Sequence, residues 1–472
     1  MNKLVKSITS RDENFARWYT DVCLKAELMD YSEVQGFIIY RPYGYEMWEN
    51  IQTYLNKAFK KTGHQNVYMP LVIPESLFQK EKDHVEGFSP EVAYLTYDGD
   101  DSDDKLIVRP TSEVLFCEHF RKIVSSHRDL PIKYNQWANV LRWEKTTRPF
   151  LRGKEFLWQE GHTIHATLEE AKKETLDMLE IYRKMGEELL AIPFVTGIKT
   201  EKEKFAGAVE THSIEALMHD GKALQSGTSH FFGDGFAKAF DIKFQDVDNK
   251  LKYVYQTSWG VTTRLIGAVI MVHGDDEGLV LPPHIAPIQV VIVPIQSKSE
   301  EAIKTSMMLK EKLERKGIRV LYDDSNRSPG WKYSEYEMKG VPVRIEVGPR
   351  DIEKGEVTLV VRHDRSKHMI KIDDVDVIMQ SVLQEIHESM YQKALNHVKA
   401  NTHVLYDYKD FKETIDKGGY IKMSVAKDIA EEIIKEEHQA SARIILDEPL
   451  LYDTCPVTGE KATQTILFAR AY

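Results

Sequence analysis

Asn139-Val-Leu-Arg-Trp-Glu144 and Phe150-Leu-Arg-Gly-Lys-Glu-Phe-Leu-Trp-Gln-Glu-Gly-His162 set charged groups among aromatics at strand spacing. Alternation puts Arg142 and Glu144 on one face of the first segment, and Phe156, Trp158 and Glu160 on one face of the second. The residues between them form a hairpin loop. Arg142 on the strand and Arg152 near the loop could hold a polyphosphate, because a planar guanidinium donates two parallel hydrogen bonds. The same pattern also fits a β-hairpin laced by cross-strand salt bridges, each worth under about 1 kcal/mol if exposed. Working outward, helical spacing runs over 12–29, 46–61 and Leu168 to Leu190, separated by short β-branched and aromatic segments bounded by Gly and Pro. That irregular mixture predicts an α+β region rather than regular βαβ alternation.

Three further stretches carry chemistry. Arg109-Pro-Thr-Ser-Glu113 joins an apolar strand to a helix over Val114 to Val124, with Thr111 or Ser112 an N-cap and Glu113 in the first turn. Ala223-Leu-Gln-Ser-Gly-Thr-Ser-His-Phe-Phe232 crowds hydrogen-bonding side chains from Gln225 to His230 around a glycine, which suits either ligand contact or an exposed edge. Tyr255-Gln-Thr-Ser-Trp-Gly-Val-Thr-Thr-Arg264 ends on a cation at the start of an apolar helix. A cation there opposes the helix dipole and asks for an anion nearby. Walker, GxGxxG, GxSxG and HExxH patterns are missing. His162 and His165 sit on a strand, where packing or hydrogen bonding is the expected role rather than metal ligation.

Breaker residues in Gly278-Leu-Val-Leu-Pro-Pro-His-Ile-Ala-Pro287 mark a boundary, after which strand and helix patterns alternate as in a small α/β domain. A last region, 401–472, holds a helix near 424–437 and an apolar close at Thr465 to Tyr472. Segments 92–97 and 106–108 read as strands flanking an acidic hairpin tip at 98–104. With 472 residues, 42% hydrophobic and 29% charged, the chain has the composition of several folded domains. Cys23, Cys117 and Cys455 are too scattered for a disulfide framework or a thiolate zinc finger, and a reducing compartment, the cytoplasm, is expected. No apolar run is long enough to span a membrane. A net charge of −11 argues against a polyanion partner unless basic residues cluster locally.

Taken in order, Arg-Pro-Thr-Ser-Glu113, Phe-Leu-Trp-Gln-Glu-Gly-His162, Thr-Glu-Lys-Glu-Lys-Phe-Ala-Gly207, Gln-Ser-Gly-Thr-Ser-His230, Ser-Trp-Gly-Val-Thr-Thr-Arg264, Ser-Pro-Gly-Trp-Lys332 and Lys-Gly-Val-Pro-Val-Arg-Ile-Glu-Val-Gly-Pro-Arg350 resemble the prolyl-tRNA synthetases of the archaeal and eukaryotic type. These are class II aminoacyl-tRNA synthetases, and the resemblance covers essentially the whole chain. It implies a class II antiparallel-sheet catalytic domain over 1–283, an α/β anticodon-binding domain over 284–400 and a small α/β C-terminal domain over 401–472. It also implies a homodimer, whose interface is marked by the proline of Val67-Tyr-Met-Pro70.

The activity so implied is ATP-dependent formation of prolyl-adenylate followed by prolyl transfer to the 3′ end of tRNA(Pro), with Mg²⁺ accompanying ATP. By resemblance Arg142 and Arg264 are catalytic, and Arg142, Glu144, Arg152, Gly153, Gln225, Thr228, Thr262 and Arg264 bind ATP, with Gln225 near the Mg²⁺. L-proline is expected among Thr111, Glu113, Arg142, Phe156, Trp158, Glu160, His162, His230 and Ser258. Aromatic walls suit a flat apolar ring and carboxylates suit its ammonium. Such a pocket discriminates a methylene by only about 1–3 kcal/mol, so alanine and cysteine misactivation is expected. Glu337 and Arg344 are the candidates for reading a guanine of the anticodon, in a segment (Arg327 to Lys371) with 10 basic and 7 acidic residues. One cysteine in 401–472 cannot build a zinc site, and no zinc is expected. Threonyl- and seryl-tRNA synthetases are the nearest rivals, and a catalytically silent paralogue would be expected to lack Arg142 or Arg264.

Overall fold

The main sheet draws strands from both ends of the chain. In a computed structural model that describes residues 8–84, 91–96, 104–295, 299–427 and 429–472, its first seven strands are β1 (Gln65–Asn66), β2 (Ile132–Leu141), β3 (Glu155–His165), β4 (Val195–Ile198), β5 (Glu210–Leu217), β6 (Ala223–Gly233) and β7 (Tyr255–Thr262). Strands β4-β5-β6-β7-β3-β2 are antiparallel throughout, and β1 adds a short parallel edge. The back of this sheet is covered by helices α1 (Phe15–Lys25), α2 (Pro42–Lys61), α4 (Leu168–Met185) and α5 (Arg264–His273), whose buried faces share one core with Trp259 and Val261 of β7. Helix α3 (Glu113–Ile123) contributes Phe116 and Phe120 to a second cluster that also holds Ile164 of β3. Gly161 is required where β3 crosses Trp259, because a Cβ there would lie 2.1 Å from the indole ring.

The region after the breaker cluster is a separate layered unit. Strands β8 (Val290–Pro294), β9 (Val320–Tyr322), β10 (Val343–Val347), β11 (Glu356–Val361) and β12 (Lys367–Lys371) form a sheet in the order β9-β8-β10-β11-β12. Helices α6 (Glu300–Arg315), α7 (Pro329–Met338) and α8 (Val375–Ala400) accompany it. The strands β8 and β10 are buried at every position, as an internal parallel pair demands. The last region supplies β13 (Thr402–Val404), β14 (Tyr420–Val425), α9 (Ile429–His438), β15 (Ser441–Leu446) and β16 (Gln464–Ala469). These strands continue the main sheet: β15 meets β4 at Ile445 and Ile198, giving the order β13-β14-β16-β15-β4-β5-β6-β7-β3-β2-β1.

Several expectations need correction. The strand expected over Asn139–Glu144 ends at Leu141, because Glu144 N–H donates back to Arg142 O at 2.7 Å and turns the chain. Neither Thr111 nor Ser112 caps α3 through its side chain: the Ser112 hydroxyl donates to Glu160 at 2.6 Å, and Thr111 donates to Glu113. The Gln225–His230 stretch lies in the central strand β6, between β5 and β7, rather than at an exposed edge. Gln225, Thr228 and His230 are tolerated there because they line a cavity, and Ser229 on the other face donates to Thr175 O at 2.7 Å. Tyr94–Leu95 pairs antiparallel with Leu106–Val108 as expected, while residues 98–103 of the acidic tip at 98–104 lie outside the described residues.

Candidate active site

The uncovered face of the sheet is the floor of a pocket of about 360 Å³. Strand register lays its side chains in rows. One row runs His162, Ser258, His230, Thr211 across β3, β7, β6 and β5; the next runs Glu160, Gly260, Thr228; the third pairs Trp158 with Thr262. Since side chains alternate with period 2, all of these face the same way. Arg142, Glu144 and Phe150–Gly153 close one side from the β2–β3 connection, Thr111 and Glu113 enter from the start of α3, and Gln225 and Arg264 complete the lining. The pocket therefore gathers sixteen of the residues singled out in the sequence; Glu337 and Arg344 lie elsewhere.

The two ends differ in charge. At one end Arg264 donates to Gln225 O (3.1 Å) and Leu151 O (3.2 Å), and Arg142 donates to Pro110 O (3.0 Å) while lying 5.5 Å and 5.6 Å from the ring centres of Phe156 and Trp158. Burial, then the cations of Arg152 and Arg142, push the Arg264 guanidinium down to about 10. Three arginines so arranged repel one another, and a polyanion among them would remove that repulsion.

At the other end Glu160 is buried and accepts from Ser112 (2.6 Å) and Gln136 (2.7 Å), with His162 at 2.8 Å. Burial raises its carboxyl, but His162, Ser112 and Gln136 more than offset this and hold it below the usual carboxylate value. It is an anion at neutral pH. His230, its Nδ1 3.0 Å from Thr211 Oγ1, is pushed down to about 3 by burial and by His162 and His212, and stays neutral. Glu113 stands beside Thr111 at 7% exposure. An ammonium fits this end, and an apolar ring fits the walls of Phe156 and Trp158.

Sequence reading gave no role to Glu203 and Phe205, which also line the pocket. They belong to the connection between β4 and β5, where Phe205 N–H donates to Thr211 Oγ1 at 3.0 Å and its ring centre lies 4.7 Å from that of His230. The signal was present in Thr-Glu-Lys-Glu-Lys-Phe-Ala-Gly207, a motif with no secondary-structure period to place it.

A second cavity of about 330 Å³ lies between α7 and β10–β11. There Arg344 holds Glu346 (2.9 Å) and Glu337 (3.1 Å), and its guanidinium lies 4.1 Å from the ring centre of Tyr333. Among the described residues no group of three or more His, Cys, Asp or Glu could hold a metal ion, and no helix is long and apolar enough to cross a membrane.

Residues 94–273 match the family described as tRNA synthetase class II core domain (G, H, P, S and T), residues 289–381 an anticodon binding domain, and residues 408–472 the prolyl-tRNA synthetase C-terminal family. The chain belongs to the class II aminoacyl-tRNA synthetases. A proline–tRNA ligase of Onion yellows phytoplasma is 57% identical over 100% of this chain and 99% of its own, and one of Clostridium novyi is 56% identical over the same shares. The crystal structure of prolyl-tRNA synthetase from Cryptosporidium parvum complexed with halofuginone and AMPPNP superposes with a TM-score of 0.95 at 38% identity, over 100% of this chain and 98% of that one. A second structure of that enzyme, with L-proline and AMP, gives 0.95 at 37% over the same shares. Within the class, then, the chain belongs to the proline–tRNA ligases, and its activity is that of an ATP-consuming ligase of proline to tRNA.

Proposed function

We propose that the arginine end of the pocket binds the phosphates of ATP and the Glu160 end binds L-proline, so that the amino-acid carboxylate meets the α-phosphorus beside Arg142. A carboxylate oxygen attacks phosphorus, the bond to the β-phosphate bridge breaks, and pyrophosphate leaves with prolyl-adenylate retained. A hydroxyl of the tRNA 3′-terminal adenosine then attacks the acyl carbon and expels AMP. No side-chain nucleophile is needed; positioning and charge neutralisation carry the first step. Arg142 bridges the α-phosphate and the proline carboxylate, Arg264 and Arg152 take the outer phosphates, Glu144 and Gly153 hold adenine, and Gln225, Thr228 and Thr262 hold the ribose side. Thr111, Glu113, Glu160, His162, His230 and Ser258 surround the secondary ammonium, and Phe156 and Trp158 flank the ring.

The observation that carries this reading is the opposition of three arginines and a buried, ionised Glu160 within one pocket. Its test is ATP–pyrophosphate exchange with proline, threonine, serine and cysteine compared. Exchange that threonine or serine drives as well as proline would refute it.

Mg²⁺ fits as a nucleotide-borne ion. Gln225 and Glu144 offer oxygens in the pocket, and phosphate oxygens would supply most of the other ligands. When bound, the ion would neutralise phosphate charge. The partner RNA is tRNA(Pro), read by Glu337 poised on Arg344 in the second cavity. The domain division is 1–283, 284–400 and 401–472. A homodimer is supported by Tyr68, 66% exposed beside Pro70, whose carbonyl Arg109 holds at 3.2 Å. The archaeal and eukaryotic type of organisation, in a chain whose quoted curated relatives are bacterial, is supported by the direct run from β3 through α4, β4 and β5 to β6 and by the C-terminal region. A cytoplasmic location accords with three buried free cysteines.

A further inference from the structure

The connection between β4 and β5 reaches the pocket from outside the sheet, and several of the contacts that hold it come from the C-terminal region. At its root, Lys199 Nζ donates to Glu215 Oε1 and to Arg443 O, both at 2.7 Å, while Arg443 of β15 grips Glu215 Oε2 at 2.9 Å. All three residues are buried. One residue further, Thr200 Oγ1 donates to Glu431 Oε2 of α9 at 2.7 Å, again buried. Lys202 then pairs with Glu432, and Glu203 lies 3.5 Å from Lys435 Nζ. Glu431 and Lys435 are one helical turn apart with Glu432 beside the first, so one side of α9 follows the loop. The charges complement along the run, with lysine then glutamate on the loop facing glutamate then lysine on the helix. Beyond these contacts the loop delivers Glu203 and Phe205 to the pocket, Phe205 against His230.

We infer that α9 is a positioning element for the proline end of the active site: Glu431, Glu432 and Lys435 fix the loop that places Glu203 and Phe205. The inference rests on the assignment of that end to proline. Phe205 and Ala206 pack against the second core cluster, while 199–203 is held by polar pairs, so contacts from α9 on that half bias the population in which the loop is seated. None of the α9 residues lines the pocket, so their effect must travel through the loop.

The test is proline-dependent ATP–pyrophosphate exchange on the full chain, with KM for proline and for ATP measured separately. Glu431→Gln weakens a buried charge-assisted bond and is expected to raise KM for proline about tenfold. Glu432→Lys, on the surface, should raise it about two- to threefold, and adding Lys202→Glu should restore it. KM for ATP and the unfolding temperature should stay at the wild-type values in all three. Phe205→Ala serves as the direct probe of the loop. If it raises KM for proline while the α9 variants do not, the inference is overturned and the proline assignment stands. If Phe205→Ala leaves KM for proline unchanged, the loop does not serve that end and the inference falls; if Glu160→Gln also leaves it unchanged, the proline assignment falls too. A parallel rise of both KM values with a lowered unfolding temperature would make α9 merely structural, which also overturns it.

Discussion

Replacing Arg264 by Gln should leave the empty protein nearly as stable as before while removing most of its response to nucleotide. Burial and the neighbouring arginines bring the guanidinium down to about 10. Against the usual ~12.5, at 1.36 kcal/mol per pH unit, the cation costs about 3 kcal/mol in the empty pocket. Its bonds to Gln225 O and Leu151 O return about 1.5 kcal/mol or somewhat more each. The two contributions cancel to within about 1–2 kcal/mol. Arg443→Gln is the contrast, because it strips a buried pair and leaves Glu215 Oε2 without its cationic partner while Lys199 and Ser213 still hold Oε1, at a cost of about 3–5 kcal/mol. The assay is thermal unfolding of each variant, with and without MgCl₂ and a non-hydrolysable ATP analogue, beside pyrophosphate exchange. Arg264→Gln should lose the ligand-induced shift and about 10²–10³ in kcat, the scale of one preorganised electrostatic donor. A variant that unfolds as early as Arg443→Gln yet keeps its nucleotide shift would refute the reasoning.

Other outcomes follow from the same geometry. Glu160→Gln removes the anion that Ser112, Gln136 and His162 support, and should raise KM for proline by about 10- to 100-fold with KM for ATP unchanged, at about 1.4 kcal/mol per decade. Arg344→Ala should weaken aminoacylation and leave pyrophosphate exchange intact; equal losses would contradict an RNA-reading role for the second cavity. Burial pushes His165, His219 and His273 down to about 4 and His230 to about 3. The unfolded chain then binds protons that the folded one refuses, so this contribution to stability is whole above pH ~6.5 and falls as pH drops towards 4. At pH ~5.5 each histidine costs about 1.4 kcal/mol, on the order of 5 kcal/mol together. Denaturant titrations at pH 7.5 and 5.5 measure it; equal stabilities would show that these side chains are solvated.

Much of the site was legible because its chemistry demands residue types that are otherwise hard to explain. A cation opening an apolar helix, Arg264, and aromatics alternating with Glu160 on β3 both anticipated the pocket. Much of the helix and strand placement between Pro287 and Ala400 was legible for a different reason, the strong periods of elements such as Val290–Pro294 and Glu300–Arg315, whereas the helix expected near 424–437 starts only at Ile429 because Tyr420–Val425 is a strand. What stayed hidden was non-local. Ile198 and Ile445 pair across nearly 250 positions, and nothing in either segment encodes its partner. The turn that ends β2 at Leu141 was missed because Arg142 and Glu144 keep strand alternation while pointing into a cavity. Glu203 and Phe205 were missed because their loop takes its shape from α9 and β5 rather than from its own sequence.

The join between β15 and β4 bears on how this chain could be cut or evolve. A region appended by a linker can be removed without wounding the remainder. Here, ending the chain near residue 400 would strip β4 of its outer neighbour and present its backbone amides and carbonyls to solvent as an open edge. Such an edge templates pairing with other chains. A truncated form would therefore be recovered as aggregate rather than as a smaller soluble enzyme, and gene fusions or splits that respect the family boundary at 408 would meet the same obstacle.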